Sequence, residues 1–187
     1  MTTFPAFLDT NAIYGGYLCD TLLRLAEAGT YRPLWSAGVL EELERNLLKR
    51  GLPQGPVTYR ISQMQAAFPD AEVRGYESLA DLMACDKKDR HVLAAAVRAN
   101  AEVLVTFNLD DFPAESTEPY DITLSHPDAF LLDQLDLSPG ITLAVLRSQA
   151  ASYKSPEMTP EEMLGRLAAT GTPRFAAEAL RHLQPSP

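Results

Sequence analysis

Carboxylates in this sequence fall where chain reversals would gather them. Asp9 directly follows the apolar run 4–8. Asp110 and Asp111 follow the apolar run 102–107 by a few residues. Asp86 and Asp89 open a stretch whose apolar residues, Val92, Leu93, Ala96 and Val97, recur at helical spacing. Glu41, Glu42 and Glu44 lie in another helical stretch, 37–50. Carboxylates brought together from separate elements repel one another. A hard divalent cation is the simplest compensation, because it prefers oxygen ligands. Such a site can activate water and stabilise the charge on a phosphoryl group in transfer. Each acid taken singly has a plainer reading, as a turn residue or a helix N-cap.

The elements that position these acids are legible in outline. Residues 4–8 read as a buried strand, and 34–35, 71–73, 102–107 and 120–124 as further strands. Residues 12–28 show helical spacing and stop at Gly29. Ser36 is suited to cap a helix that carries Val39, Leu40, Leu43 and Leu47 and ends at Gly51. Residues 58–68 read as a helix and 78–83 as a weak one. A helix starting at Asp86 or Asp89 runs to Asn100. Asp86-Lys87-Lys88-Asp89 resembles a loose capping box, which makes Asp86 the plainer N-cap. Strands alternating with helices imply a parallel α/β sheet, whose ligands sit beyond the carboxyl ends of the strands. Asp9 falls there, and so do Asp110 and Asp111. Periodicity alone leaves the inward acid of the 37–50 helix open; Glu41 has Arg45 as an i,i+4 surface partner, which leaves Glu42 the freer.

From His126 the chain changes character. Residues 128–135, 138–153, 159–169 and 174–183 all read as helices, and the end, Pro185-Ser186-Pro187, reads as frayed. Two domains are therefore expected: residues 1–125, holding the acids, and a helical extension over residues 126–187.

Composition bounds the function. The chain has 187 residues, 46% of them hydrophobic, enough to bury a core without disulfides. Cys19 and Cys85 show no metal-ligand spacing and read as free thiols. The start lacks the pattern of a signal peptide, and no apolar run approaches the ~18 residues of a membrane span. A cytoplasmic location without a membrane is expected. The net charge of −9 argues against a passive nucleic-acid binder, which carries a basic footprint. It is compatible with an acidic metal site and with a basic protein partner.

Four stretches, in order, resemble the motifs of the PIN-domain family. Phe7-Leu8-Asp9-Thr10-Asn11 is similar to its opening strand with an Asp-x-Asn signature. Ser36-Ala37-Gly38-Val39-Leu40-Glu41-Glu42-Leu43 is similar to the second motif, whose acid stands just before a Leu and falls on Glu42. Residues 86–96 are similar to the third, with Asp89 as its acid. Thr106-Phe107-Asn108-Leu109-Asp110-Asp111-Phe112 is similar to the closing Thr-x-Asn-x-x-Asp-Phe, with Asp111 as its acid. The tail from His126 resembles a helical extension of some VapC-type toxins.

The resemblance implies a three-layer α/β/α fold with a central parallel sheet and metal-dependent cleavage of RNA. It implies an acidic quartet of Asp9, Glu42, Asp89 and Asp111 that binds Mg²⁺ or Mn²⁺. Asn11 would position Asp9 or a metal-bound water, and Thr106 and Asn108 would support the site by hydrogen bonds. Cleavage would be hydrolytic and leave 5′-phosphate and 3′-hydroxyl ends. A cognate antitoxin and a homodimer are further implied partners.

Two other readings use the same residues. A haloacid-dehalogenase-type phosphatase also sets an Asp after its first strand, but wants Asp-x-Asp, and position 11 is Asn. A PIN-like module that only docks partners would keep the shape without the chemistry. No Ser-His or Cys-His nucleophile constellation is visible, and His91, His126 and His182 read as ordinary.

Overall fold

The computed structural model describes residues 3–183. The expectation for Pro185-Ser186-Pro187 lies outside the described residues. The strands are β1 (Pro5–Leu8), β2 (Arg32–Ser36), β3 (Glu72–Val73), β4 (Val103–Val105) and β5 (Thr123–Ser125). The helices are α1 (Gly16–Glu27), α2 (Ala37–Lys49), α3 (Gln54–Ala67), α4 (Arg90–Arg98), α5 (Ala114–Thr117), α6 (Pro127–Leu137), α7 (Pro139–Ser152), α8 (Pro160–Ala169) and α9 (Pro173–Leu183). Short 3-10 turns cover Glu77–Leu82, Leu109–Asp111 and Glu118–Tyr120.

Contacts divide the chain into two compact units. One holds the chain up to Tyr14 together with Arg32–Ser125; the other holds Gly15–Tyr31 together with the chain from His126 on. The split by sequence at 125/126 had grouped 15–31 with the first part. The reason for the difference is local. The apolar stripe of α1, Leu18, Leu22 and Leu25, is buried, and within its unit α1 packs on α7 and α8.

The first unit is built on a five-stranded parallel sheet in the order β3-β2-β1-β4-β5, with flanking helices. All four residues of β1 are buried, as a central strand of a parallel sheet requires. Pro5 opens that strand, a position where a proline is tolerated. Phe7 lies opposite Leu34 of β2 and Leu104 of β4. From β1 the chain goes to β2 and β3 on one side, then returns to β4 on the other. The order reverses between β1 and β4, and such a switch point opens a crevice beyond the strand ends.

Helix α2 starts as its sequence indicates: the Ser36 side chain accepts a hydrogen bond from Val39 N at 3.3 Å. It ends at Gly51, whose φ of +92° is the left-handed conformation that favours glycine after a helix. Val39, Leu40, Leu43 and Leu47 form its buried face. Both α2 and α4 pack on β2, where Trp35 is fully buried.

Some boundaries differ from expectation. Helix α1 begins only at Gly16, because residues 10–14 form a turn in which Ala12 N and Ile13 N donate to the Asp9 carbonyl. Helix α3 begins at Gln54, four residues before the expected start. Helix α4 begins at Arg90 with Asp89 at the cap position, and no side chain caps it. Asp86 is therefore not the cap. It closes a turn instead: its Oδ1 accepts from Lys88 N at 3.0 Å, and its carbonyl accepts from Asp89 N at 2.9 Å.

The second unit is helical. Its core contains Leu22, Phe130, Leu131, Leu146, Met163, Leu167 and Phe175. Thr159 and Glu162 form a reciprocal capping box at the start of α8. Asp128, buried on α6, caps α9 by accepting from Phe175 N at 2.8 Å and Arg174 N at 3.3 Å. Among the described residues, no single helix is long and apolar enough to cross a membrane.

Candidate active site

Asp9 stands one residue beyond β1, at the switch point. Its backbone N–H continues the ladder by donating to Val105 O at 3.0 Å, which fixes it beside the end of β4. Asp9 is 5% exposed, and its carboxylate is heavily bonded. Oδ1 accepts from Thr10 N at 2.7 Å. Oδ2 accepts from Asn11 Nδ2 at 2.8 Å and from the Thr106 hydroxyl at 2.8 Å. Burial raises its pKa above the ordinary value and Glu42 adds to the rise, while the bonds from Thr106 and Thr10 oppose it.

Asn11 and Thr106 form one network around this carboxylate. Asn11 Nδ2 also donates to Thr106 Oγ1 at 2.9 Å, and Asn11 Oδ1 accepts from Phe107 N at 2.9 Å. Asn108 N donates to Thr106 Oγ1 at 3.1 Å. Thr106 is fully buried, so its hydroxyl is an internal bracket that joins the ends of β1 and β4. The contribution of Asn108 to this network is its backbone; its residue also lines the cleft described next.

Glu42 reaches the same place from α2. Its Oε2 accepts from Thr10 Oγ1 at 3.1 Å. Asp89 comes from the start of α4 and is also mostly buried. Burial raises its pKa to about 6; Lys88 lowers it, and Asp111, Asp9 and Asp86 raise it further. Asp89 Oδ2 is buried and has no hydrogen-bond partner. Asp9, Asn11, Glu42, Asp89 and Asn108 line one cleft of about 490 Å³, together with Thr10, Tyr14, Asn46, Lys49 and Arg50.

Asp111 lies on the 3-10 turn after β4 and lines a second cleft of about 440 Å³, which shares Asn108 with the first. Three acids of the expected quartet thus border one cleft, and the fourth borders its neighbour. Lys88 stands between: its Nζ lies 3.0 Å from Asp111 Oδ2 and 3.8 Å from Asp89 Oδ2. Glu41 is exposed, and Glu44 accepts from Gln54 Nε2 at 2.8 Å.

Sequence reading passed over Thr10 and His91. Thr10 is buried and bridges the first strand's loop to α2. His91, read as ordinary, has Nε2 4.0 Å from Glu42 Oε2. Its Nδ1 is buried without a partner. The available signal was its position, two residues after Asp89 in the first turn of α4. Arg60 was also missed. It donates to the Ile13 carbonyl at 2.5 Å and the Tyr14 carbonyl at 3.2 Å, and so fixes the loop that carries Asn11.

The donor set suits a hard divalent cation. The acids offer oxygen only, and the orphaned Asp89 Oδ2 is a buried lone-pair donor with nothing to satisfy it. The carboxylates do not yet share one coordination sphere: among the described residues no group of three or more His, Cys, Asp or Glu side chains is set to hold a metal ion.

Comparison with known proteins identifies the family. The PIN domain family model matches residues 5–110, more than half of the chain. The model of the VapC50 C-terminal domain matches residues 127–181. The chain is 50% identical over 112 residues to "Putative ribonuclease VapC50" of Mycobacterium tuberculosis (strain ATCC 25618 / H37Rv), a match spanning 60% of this chain and 65% of that protein. It thus covers slightly less than two thirds of that relative. No solved structure matches the chain. With a parallel sheet whose switch point carries Asp9, Asn11 and Thr106, and a family model matched over β1 to β4, the chain belongs to the PIN domain family.

Proposed function

We propose that this protein is a divalent-metal-dependent ribonuclease that hydrolyses RNA phosphodiester bonds in the cytoplasm, as the toxin of a toxin–antitoxin pair. The observation that carries the reading is the cleft where Asp9, Glu42 and Asp89 meet beside the Thr106–Asn11 bracket. The similarity to a relative named as a ribonuclease supports it.

Asp9 and Asp89 would hold the cation, Mg²⁺ or Mn²⁺, with Glu42 and Asp111 contributing directly or through water. The cation would supply charge stabilisation at phosphorus and a more acidic water. The protein's own residues do the rest. Thr106 and Asn11 fix the Asp9 carboxylate, so it needs no reorganisation when it meets a cation. Thr10 does the same for Glu42. Lys49 and Arg50, which also line the cleft, suit the RNA backbone, and Arg50 lies 5.7 Å over the ring of Tyr14, another lining residue. Products would carry 5′-phosphate and 3′-hydroxyl ends. The net charge of −9 suits a basic antitoxin, and a homodimer is the expected assembly.

The test compares wild type with Asp9→Asn and Asp89→Asn on structured and unstructured RNAs, with Mn²⁺, with Mg²⁺ and with EDTA. Cleavage that needs metal and is lost in both variants is the expected result. Cleavage that persists in EDTA would overturn the metal-dependent reading.

A further inference from the structure

Lys88 occupies an unusual place among these acids. It precedes Asp89 directly, outside the helix that Arg90 begins. Its backbone is fixed, because Lys88 N donates to Asp86 Oδ1 at 3.0 Å. That turn is tied in its own right to the chain after β4, since Asp86 N donates to the Asp111 carbonyl at 3.4 Å. The side chain is therefore aimed between Asp89 and Asp111 by the backbone, while its length stays 63% exposed.

The contacts have the character of a counter-ion. Lys88 Nζ is hydrogen-bonded to Asp111 Oδ2 at 3.0 Å. Its distance to Asp89 Oδ2 is 3.8 Å, too long for a hydrogen bond, and that oxygen has no other partner. The lysine thus neutralises two carboxylates that come from different elements, and fully satisfies only one. A divalent cation held by Asp89 and Asp111 would draw on the same negative charge. Two cations beside one pair of carboxylates repel, so the ammonium and the metal would weaken each other's binding. Lysine suits that competition better than arginine: it is a point charge on a flexible stem, without the bidentate grip of a guanidinium.

We propose that Lys88 is a resident counter-ion of the Asp89–Asp111 pair, which competes with the divalent cation for these carboxylates and so sets the affinity of the protein for metal. The proposal rests on the metal-dependent reading above. It deepens that reading by making one residue of the chain the rival of its cofactor.

The experiment titrates the full chain with Mn²⁺ in the absence of RNA and follows free Mn²⁺ by its electron paramagnetic resonance signal. Wild type is compared with Lys88→Met, Lys88→Arg and Lys87→Met. Exposed ion pairs are modest, so Lys88→Met is expected to bind Mn²⁺ about three- to fivefold more tightly than wild type. Lys88→Arg, which keeps the charge, is expected at or below the wild-type affinity. Lys87→Met removes the same charge one residue away and is expected within about twofold of wild type, which separates contact from long-range charge. If wild type binds Mn²⁺ and Lys88→Met binds it no more tightly, the competition is overturned and the metal reading stands. If Lys87→Met gains as much as Lys88→Met, the effect is one of net charge and the proposal is overturned as well. If no variant binds Mn²⁺, both readings fall together.

Discussion

The Thr106 hydroxyl donates to Asp9 Oδ2 across 2.8 Å, although the two residues are 97 positions apart in the chain. This bond joins the ends of the two strands that flank the switch point. It also fixes the acid on which the proposed chemistry depends.

Thr106→Val keeps the shape of the side chain and removes that bond. One donor to a buried carboxylate is lost, and Asn11 loses a partner as well. Stability should fall by about 1–3 kcal/mol. Metal-dependent cleavage should fall about 10- to 100-fold, the usual effect of losing a group that orients a ligand. Thr106→Ser should retain most of both. Denaturant unfolding and RNA cleavage rates would check this, and a fully active Thr106→Val would remove Thr106 from the site.

The acids should make the metal-free protein more stable at mildly acidic pH. Asp89 is raised to about 6 in the folded protein, by burial first, whereas an unfolded Asp titrates at about 3.9. Between these values the folded form holds the extra proton. The corresponding stability is complete below about pH 4 and is lost as pH rises through about 6. In EDTA, wild type should therefore melt several degrees higher at pH 5 than at pH 7. Asp89→Asn should raise the melting temperature at pH 7 and flatten this dependence. Equal slopes for the two proteins would show that Asp89 carries no such strain. If Asp89 holds the proposed cation, activity should run the opposite way, since protonation would remove that ligand.

Gly38 lies in the first turn of α2, close under α4. A Cβ there would come 3.1 Å from the Tyr76 hydroxyl and 3.3 Å from His91 Nδ1. Gly38→Ala would push on His91, which stands 4.0 Å from Glu42. A loss of about 1–2 kcal/mol is expected, in spite of the better helix propensity of Ala. Thermal melts settle the sign; a more stable variant would mean that both side chains yield freely.

Much of this arrangement was legible beforehand, and the reasons are specific. The run that ends in Asp9 is apolar throughout, as a buried parallel strand must be, so β1 and the acid after it were found together. Ser36 and Gly51 bracket α2 by chemistry that acts within a few residues. Glu42 could be preferred over Glu41 only by elimination and by resemblance, because the inward direction of a helix depends on its partners. His91 and Thr10 were not legible, since their roles arise from contacts with α2 over long separations. Of the two starts that sequence left open for α4, the Asp89 one holds; Asp86 looks like the plainer cap in sequence, while its carboxylate serves the turn before Lys88. The place of α1 was hidden for a related reason: an amphipathic stripe shows that a helix is covered, and leaves open by what.

Asp128 allows a separate test of the helical unit. Its carboxylate serves the first turn of α9, where two backbone N–H groups would otherwise lack partners. Asp128→Ala should cost about 1–2 kcal/mol. Asp128→Asn, which can still accept hydrogen bonds, should cost less. Calorimetry of the full chain would measure both, and equal costs would mean that charge, rather than bonding, makes the contact.

The grouping of α1 with the helices of the tail has a consequence for synthesis. Thr21 and Gln149, hydrogen-bonded in the buried part of that unit, lie 128 residues apart. At about 5–20 residues per second, a ribosome needs on the order of ten seconds to make the second after the first. Throughout that interval the nascent chain carries Leu18, Leu22 and Leu25 with their partners in α7 and α8 still unmade. For that time the growing polypeptide exposes the kind of apolar surface that makes folding intermediates prone to aggregate, and a message cut short before α7 would yield a product that keeps it exposed.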